Sequence, residues 1–420
     1  MKNSLQKFIL KSSLLILILI ISMISNSNAQ TNYDKVKNAV DSVKAGYEAK
    51  VNRKIPSLNI LINTPYDMIF ISSVSESETP LTKDTYFRFA SNTKNFTSAA
   101  ILDMQQRGML NIKDKITDLI PKSNIPYVPV SPEFDIPYKN EITIEQLLQH
   151  AAGVYDIDND PVPGFGGLSY TDYMTFQNPA HQFELSELVN QVAKNKLSYF
   201  PPGMGYHYSN TGFTILSEII QRVSSLEMYN PMGKSLKYVD YIYSNITGTG
   251  TKVPLDIKFP YLATNTKLPV PYATGYLLTP DSTAVYTDVN MSAHVGEGNG
   301  YATFAELNRY VRTMMKGENI LSAESISLMQ NTVSDSNKTY GLGCINIKSL
   351  GYGHNGCIKG YLSYMLYDPA DDVSVIIMMP ENDYTDQGEL GLIYGLKALI
   401  NTGFASKRVL GYYSGGLIPY

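Results

Sequence analysis

Apolar residues near the start of the chain recur every three or four positions over residues 33–50, which predicts an amphipathic helix. Its buried stripe consists of Val36, Val40, Val43 and Tyr47. Two β-rich runs follow at 58–62 and 68–74, and a third at 85–89 leads directly into a helical segment that ends near Gly108. The first quarter of the chain therefore predicts one helix, three strands and a second helix.

The middle of the chain has helical periodicity interrupted by polar stretches that are rich in Pro and Gly. Helices are predicted at 145–150, 184–196, after Gly212, and at 233–246, 304–315 and 322–330. The stretch 154–176 predicts a long irregular loop of the kind that often covers an active site, and 248–288 is loop-rich as well. This region predicts a helical unit with few strands.

Strand patterns return near the C-terminus, at 341–347, 352–357, 362–367 and 373–379, and predict an antiparallel meander followed by a last helix at 390–400. Strands at both ends around a helical middle predict an α+β fold, with one sheet built from both ends of the chain. The α/β part is predicted at about 30–110 and 335–405, and the helical part at about 111–334. The Tyr- and Gly-rich tail, 406–420, has no predicted place.

Residues 1–29 have the pattern of a signal peptide. They contain three Lys and no acidic residue, an apolar run too short to span a bilayer comfortably, and small residues before Gln30. We expect cleavage after Ala29; an uncleaved anchor is the alternative. No Cys follows the apolar run, which argues against a lipid anchor. The predicted protein is exported, periplasmic or secreted, without stable membrane insertion once the signal is cleaved.

The net charge and the cysteine content bear on the possible partners of the chain and on its disulfide pairing. The net charge of −4 falls to about −7 when the three Lys of segment 1–29 are removed, which argues against a nucleic-acid partner. Two cysteines, Cys344 and Cys357, flank a turn-like segment. They would either pair across a hairpin in an exported protein or remain two buried thiols. The oligomeric state does not follow from the sequence.

Ser91 and Lys94 form the first candidate for chemistry. A β-rich run precedes Ser91 and helical residues follow it, so Lys94 lies three positions on, on the same helix face. A lysine whose pKa is lowered by burial and neighbours takes the proton of a serine hydroxyl, and N–H groups at a helix start stabilise an oxyanion. The alternative is that Ser91 and Lys94 have this spacing by chance and lie on a solvated helix face.

A second motif, Tyr208-Ser209-Asn210, is predicted on a tight turn before a helix. Tyr208 beside Lys94 would share or carry the proton, and Asn210 would orient Lys94 and bind a substrate carbonyl. A surface tyrosine followed by a helix-capping asparagine is the alternative interpretation.

The third motif, His354-Asn355-Gly356, is predicted on a strand. Gly356 would let a substrate backbone approach the strand edge, and His354 and Asn355 would face the substrate. The backbone N–H of Cys357 would complete an oxyanion hole with that of Ser91. A polar triplet at a strand edge is the alternative.

These three motifs, in this order and context, resemble those of the serine β-lactamase-like superfamily, on the branch of class C β-lactamases, DD-carboxypeptidases, D-aminopeptidases and related esterases. Further similar stretches lie at 147–150, Pro202-Gly203, 273–276 and 340–343. The resemblance implies a β-lactamase/transpeptidase-like fold, with a five-stranded-type antiparallel sheet flanked by helices and an inserted all-helical region. It also implies acyl-enzyme chemistry on Ser91 and no cofactor or metal.

Two departures from the family pattern concern the substrate pocket. The third motif is His-Asn-Gly where β-lactamases often have Lys-Thr-Gly, and a histidine is only partly cationic at neutral pH. The stretch that is often His-Thr-Ser-Gly in the family is His-Ala-Ala-Gly here, beginning at His150. Both departures argue against efficient β-lactam hydrolysis.

The sequence therefore predicts an exported serine hydrolase that acts on small amides or esters, with D-amino-acid peptides as the preferred substrates. Lys94 and Tyr208 would manage the protons for Ser91. An esterase, a weak class C-like β-lactamase and a penicillin-binding sensor with little turnover are the alternatives. The other histidines are interpreted as structural, with His207 the one that would touch substrate; they are His150, His181, His207 and His294.

Overall fold

The computed structural model describes residues 31–76, 78–385 and 390–420. The predicted signal peptide at 1–29 lies outside the described residues. The helix predicted at the start of the chain is confirmed as α1, residues 31–51. None of the helices within the described ranges combines the length and apolar character needed to cross a membrane.

A six-stranded antiparallel sheet is built from both ends of the chain, as predicted. Its strand order is β2-β1-β10-β9-β8-β7. The strands are β1 (Ser57–Asn63), β2 (Met68–Val74), β7 (Ile345–Ile347), β8 (Gly351–Ile358), β9 (Tyr361–Asp368) and β10 (Val373–Met379). Because β1 pairs with β10, the N-terminal hairpin joins the C-terminal meander, with Ile60 opposite Ile377. The edge strand β7 pairs only with the first residues of β8, up to Gly353.

One face of the sheet is covered by α1 and by the last helix, α10 (Leu390–Val409). The α10 helix is nine residues longer than the predicted 390–400, and the unplaced tail packs back on it. Asn401 exchanges two hydrogen bonds with the backbone of Ile418, at 2.7 and 2.8 Å. Residues that far apart along the chain are not paired by any local pattern, which is why the sequence did not place the tail.

The other face packs against the helical part through the larger apolar core. The central helix α2 (Thr93–Gln106) is buried from Thr93 to Met104. The remaining helices are α3 (Ile144–Leu148), α4 (Tyr170–Gln177), α5 (Leu185–Asn195), α6 (Asn210–Ser225), α7 (Tyr238–Tyr241, continued by a π turn at Ile242–Thr247), α8 (Phe304–Met315) and α9 (Ala323–Gln330). Short strands complete the fold, namely β3 (Tyr86–Arg88), β4 (Tyr276–Thr279), β5 (Ser282–Val285), β6 (Tyr301–Thr303) and β11 (Glu381–Asp383).

Local signals predicted several helix boundaries correctly. Ser322 caps α9, and Thr143 forms a capping box with Gln146 at the start of α3. Three predictions were wrong in part: α4 lies inside the expected loop 154–176, the helix expected at 233–246 begins only at Tyr238, and the loop-rich region 248–288 contains the β4–β5 hairpin. Since α4 and the β4–β5 hairpin are only partly buried, their apolar patterns are weak, and residues 233–237 before α7 are mostly exposed.

Candidate active site

The turn that carries Ser91 lies between β3 and α2. It is a short 3-10 turn, Ala90–Asn92, and Ala90 has a left-handed φ of +51°. The Thr93 hydroxyl fixes the turn, because it donates to the carbonyl of Ala90 at 2.7 Å and accepts from the N–H of Gly300 at 3.1 Å. Ser91 itself is partly exposed, while Asn92 and the first turns of α2 are buried. The fold thus holds the Ser91 hydroxyl on a turn whose position is fixed by these hydrogen bonds.

The same turn packs against β8, beyond the residues that β7 covers, and against the neighbouring strand β9. The side-chain amide of Asn92 donates to the carbonyl of Phe89 at 2.7 Å and to the hydroxyl of Ser363 at 2.9 Å. A Cβ added to Gly356 would lie 2.1 Å from the Phe89 carbonyl oxygen. Gly356 therefore makes room for the serine turn itself, which differs from its predicted role of admitting a substrate backbone.

Lys94 is completely buried and holds four polar contacts. Its Nζ donates to Ser91 Oγ at 3.2 Å, to Asn210 Oδ1 at 2.6 Å, and to Glu297 through both the carbonyl (2.9 Å) and the carboxylate (3.2 Å). Burial lowers the pKa of Lys94, but Tyr208 and Glu297 outweigh it and raise the pKa above its ordinary value. Lys94 is thus an ammonium at neutral pH, which corrects the expectation of a lowered pKa.

Tyr208 and Asn210 reach Lys94 from the start of α6, where Ser209 is the N-cap. The Tyr208 ring lies over Lys94, with Nζ 4.8 Å from the ring centre. Burial raises the pKa of Tyr208, whereas Lys94 and Ser91 act to lower it. Asn210 accepts from Lys94 and donates its amide to Asp158 at 2.9 Å. Its amide is therefore occupied at both ends by the protein.

A group of charged residues that the sequence did not indicate surrounds Lys94 on the far side from Tyr208. His294 Nδ1 lies 2.6 Å from Glu297 and 3.5 Å from Asp158. Burial lowers the pKa of His294, but these two carboxylates outweigh it and raise the pKa well above its ordinary value. His294 is thus a cation between two carboxylates, and Lys94 is a second cation on Glu297.

Asp158, His294 and Glu297 are close enough together to be considered as metal ligands. The His294 nitrogen that would bind a metal already points to both carboxylates, and Lys94 already pairs with Glu297. A divalent cation would have to displace these positive groups. We therefore interpret the three residues as an ion-pair network.

A neighbouring carboxyl group, that of Asp156, is almost completely buried. Burial and the charge of Asp158 raise the pKa of Asp156 to about 7. For Asp158, burial acts in the same direction, but His294 and Thr171 outweigh it and lower the pKa to about 2. The network therefore keeps Asp158 ionised and leaves Asp156 partly protonated near neutral pH.

The third motif is placed differently from the prediction. His354 is completely buried, with Nε2 2.9 Å from the Tyr340 hydroxyl and Nδ1 2.6 Å from the carbonyl of Asn355. Burial and the charge of Lys94 lower its pKa to about 3, so the ring is neutral. Both ring nitrogens therefore have partners within the protein, where the sequence predicted a side chain directed at the substrate.

Asn355 also departs from its predicted direction. Side chains of a strand alternate between faces, so Asn355 shares its face of β8 with Cys357. Cys357 packs into the core under α1 and α10, and its sulfur accepts from Asn382 at 3.3 Å. The Asn355 side chain therefore lies on the face away from Ser91. Cys344 is buried, and the structure has no disulfide between it and Cys357.

The structure thus brings Ser91, Lys94, Tyr208 and Asn210 together and sets the β8 edge beside them. Of the histidines interpreted as structural, His181 pairs with Glu187, and the exposed His207 stacks on Tyr199. His294 belongs to the site instead. The signal that could have found it is the closely spaced pair of His294 and Glu297 in a glycine-rich turn.

The chain belongs to the Beta-lactamase family, since a sequence model of that family matches residues 37–398. The members of this family are serine hydrolases. Over 167 residues the chain is 26% identical to "Penicillin-binding protein 4*" of Bacillus subtilis (strain 168), which covers 40% of this chain. The aligned part spans 29% of that relative's length.

Two solved structures share the β-lactamase/transpeptidase-like fold. A D-stereospecific amidohydrolase from Streptomyces sp. superposes with a TM-score of 0.65 at 20% identity, covering 84% of this chain and 97% of that chain. The D-amino acid amidase from Ochrobactrum anthropi SV3, complexed with L-phenylalanine amide, superposes with a TM-score of 0.64 at 20% identity, covering 89% and 98%. At this identity the comparison establishes the fold, and the predicted α+β class is confirmed.

Proposed function

We propose that this chain is an exported serine hydrolase whose Ser91 forms an acyl-enzyme with small amides or esters, with D-amino-acid amides and peptides as preferred substrates. The observation that carries the proposal is the hydrogen bond from the completely buried Lys94 ammonium to the partly exposed Ser91 hydroxyl. A cation at this distance stabilises the negative charge that forms on Ser91 as the hydroxyl loses its proton.

In this mechanism the Ser91 oxygen attacks the substrate carbonyl carbon and forms the new C–O bond. The serine proton passes to Tyr208, which accepts it as the phenolate that the neighbouring Lys94 ammonium stabilises, and Tyr208 then gives this proton to the nitrogen or oxygen that leaves. Lys94 keeps its own protons, and its positive charge stabilises the Tyr208 phenolate before this transfer and the charge that develops on Ser91 during it. The N–H groups of Ser91 and Cys357 would hold the oxyanion, and water would then release the acyl group.

The neutral third motif supports amidase or aminopeptidase activity over carboxypeptidase activity. A free carboxylate on a substrate is best held by a cation, and His354 supplies none because it is buried and neutral. The same argument counts against efficient penicillin hydrolysis. The two solved structures named above are those of a D-stereospecific amidohydrolase and a D-amino acid amidase, which supports the D-amino-acid preference.

The test is turnover of p-nitrophenyl acetate and of the D- and L-forms of phenylalanine amide by residues 30–420. We expect a D-preference of at least tenfold, and a loss on the order of 10³-fold or more in Ser91→Ala. Ser327→Ala, an exposed serine on α9, is the matched control and should retain full activity. Equal turnover in Ser91→Ala would contradict the serine mechanism, and an L-preference would contradict the substrate class.

Export is the second part of the proposal, and it rests on the sequence of residues 1–29. Expression of the full chain in a bacterium with a secretion pathway should yield a product that begins at Gln30 outside the cytoplasm. N-terminal sequencing of the fractionated protein measures this. A product that retains Met1 and stays in the cytoplasm would contradict it.

A further inference from the structure

Three buried side chains form one continuous chain of hydrogen bonds behind Tyr208. The backbone N–H of Ser209 lies 3.1 Å from His150 Nδ1, and His150 Nε2 lies 3.0 Å from the Tyr340 hydroxyl. The same hydroxyl lies 2.9 Å from His354 Nε2. We call His150, Tyr340 and His354 the relay; each is at most 4% exposed.

The direction of every hydrogen bond in the relay follows from its first donor. A backbone N–H can only donate, so His150 Nδ1 accepts and the proton of the neutral ring is on Nε2. His150 therefore donates to Tyr340, and Tyr340 must give its own proton to His354 Nε2. That leaves the His354 proton on Nδ1, which donates to the carbonyl of Asn355 at 2.6 Å.

Burial keeps both imidazoles neutral, as this pattern requires. Burial and the charge of Lys94 lower the pKa of His150 well below its ordinary value, and they lower that of His354 to about 3. With two neutral rings and one hydroxyl, all donors and acceptors of the relay are matched. A matched buried network of this kind fixes geometry more firmly than its separate bonds would.

The relay joins the two halves of the site. At one end, Ser209 stands between Tyr208 and Asn210 at the start of α6. At the other end, His354 lies three residues before Cys357 on the β8 edge that packs against the Ser91 turn. Tyr340 lies in the segment before β7, and its hydroxyl links His150 of the helical part to His354 of the sheet.

We infer that Tyr340 is a positioning residue for the hydrolase reaction, because its hydroxyl sets the separation between the loop that carries Tyr208 and the β8 edge that supplies an oxyanion donor. This inference rests on the proposed function. Tyr340 acts through His150 and His354, which are the hydrogen-bond partners of its hydroxyl. The ring also packs against Tyr208 and His150, so the hydroxyl can be removed while the packing stays.

The kinetic test is Tyr340→Phe, with Tyr127→Phe as the matched control. Tyr127 is also completely buried, and its hydroxyl donates to Asp114 at 2.8 Å, outside the site. We expect kcat for p-nitrophenyl acetate to fall about 10- to 100-fold in Tyr340→Phe with KM changed less than about threefold, and to stay unchanged in Tyr127→Phe. Equal kcat in the two variants at similar melting temperatures would overturn the inference.

A second measurement does not depend on any substrate. Two-dimensional ¹⁵N NMR of the imidazoles at pH 7 should show His150 with its proton on Nε2 and His354 with its proton on Nδ1. In Tyr340→Phe the His354 signals should shift, because Nε2 loses its donor, and His354→Gln assigns the resonances. A His354 proton on Nε2 in the wild-type protein would overturn the relay.

The two measurements separate this inference from the proposed function. If no substrate is turned over, the proposed function fails while the NMR arm still decides the relay. If Ser91-dependent turnover is found but Tyr340→Phe matches its control, the function stands and the positioning role is overturned.

Discussion

Two buried polar clusters meet at Tyr208, and histidine is a cation in one of them and neutral in the other. On one side the charged cluster surrounds the Lys94 ammonium, and its members are Lys94, Asp158, His294 and Glu297. On the other side the relay of His150, Tyr340 and His354 is neutral. Burial lowers the pKa of all three histidines, yet His294 is held as a cation by two carboxylates while the other two stay neutral.

The hydrogen-bond partner, more than the burial, therefore decides the charge of a buried histidine. A carboxylate at 2.6 Å favours the imidazolium, whereas a hydroxyl and backbone groups are satisfied by the neutral ring. The consequence for the site is a division of tasks. The charged cluster sets the protonation of Lys94, and the relay sets the position of the β8 edge.

Removing one carboxylate from the charged cluster should have the largest effect. Glu297→Gln leaves Lys94 and His294 with less negative charge in a buried site, and we expect a loss of about 3–5 kcal/mol in the free energy of unfolding. The pKa of Lys94 should also fall, so the alkaline limb of the pH–kcat profile, where the ammonium loses its proton, should move to lower pH. Denaturant unfolding and the pH profile measure both effects.

The matched control for this variant is Glu318→Gln, which neutralises an exposed carboxylate. A stability loss no larger than in the control, together with an unchanged pH profile, would contradict the charged cluster.

The raised pKa of Asp156, which neighbours the charged cluster, predicts that the free energy of unfolding depends on pH. Its pKa is about 7 in the folded chain against an ordinary 3.8, so between these values the folded state keeps a proton that the unfolded state loses. The free energy of unfolding therefore falls as pH rises from about 4 to 7. In Asp156→Asn this fall is absent, and the variant should gain up to about 4 kcal/mol over the wild type across that window.

Urea unfolding at several pH values, performed in parallel on both proteins, measures this difference. A stability difference that is constant from pH 4 to 8 would show that Asp156 titrates at its ordinary pKa.

Gly356 lies on β8, the strand that carries His354 of the neutral relay, and a larger residue there is expected to act through a steric clash. In Gly356→Ala the new methyl group would meet the Phe89 carbonyl oxygen at 2.1 Å, so the Ser91 turn and β8 must separate. We expect a stability loss of about 1–3 kcal/mol and a large fall in turnover. Gly416→Ala, where no atom lies within 4 Å of the added Cβ, is the control. Full activity in Gly356→Ala would argue against this close contact.

The smallest effect is expected outside both clusters. Lys359, just after β8, pairs with Asp172 on α4, and both side chains are about half exposed. Lys359→Gln should change the free energy of unfolding by less than about 1 kcal/mol, because exposed ion pairs are worth little. Thermal unfolding checks this. A loss as large as that in Glu297→Gln would mean that burial does not distinguish the two kinds of ion pair.

The sequence predicted the parts of the site that depend on local spacing. Lys94 lies one helical turn after Ser91, and the Tyr208 motif runs across the N-cap of α6, so both followed from short patterns. The two-ended sheet followed from strand patterns at both ends of the chain. Local order along the chain was sufficient for these features.

Contacts across the fold could not be predicted in the same way. Glu297 reaches Lys94 from 203 positions away, and its own surroundings indicate only a glycine-rich turn. His354 and Asn355 were both expected to face the substrate, although neighbours in a strand point to opposite faces. In the structure, His354 points into the relay, and Asn355 lies on the face of β8 away from Ser91.

The central claim is that Ser91 becomes acylated, and intact-protein mass spectrometry tests it most directly. Residues 30–420 would be quenched in acid within seconds of mixing with p-nitrophenyl acetate and, separately, with a penicillin. We expect an acetyl adduct on one residue, located at Ser91 by peptide mapping and absent in Ser91→Ala, with little or no penicillin adduct. An unmodified wild-type protein with both reagents, or an adduct that persists in Ser91→Ala, would contradict it.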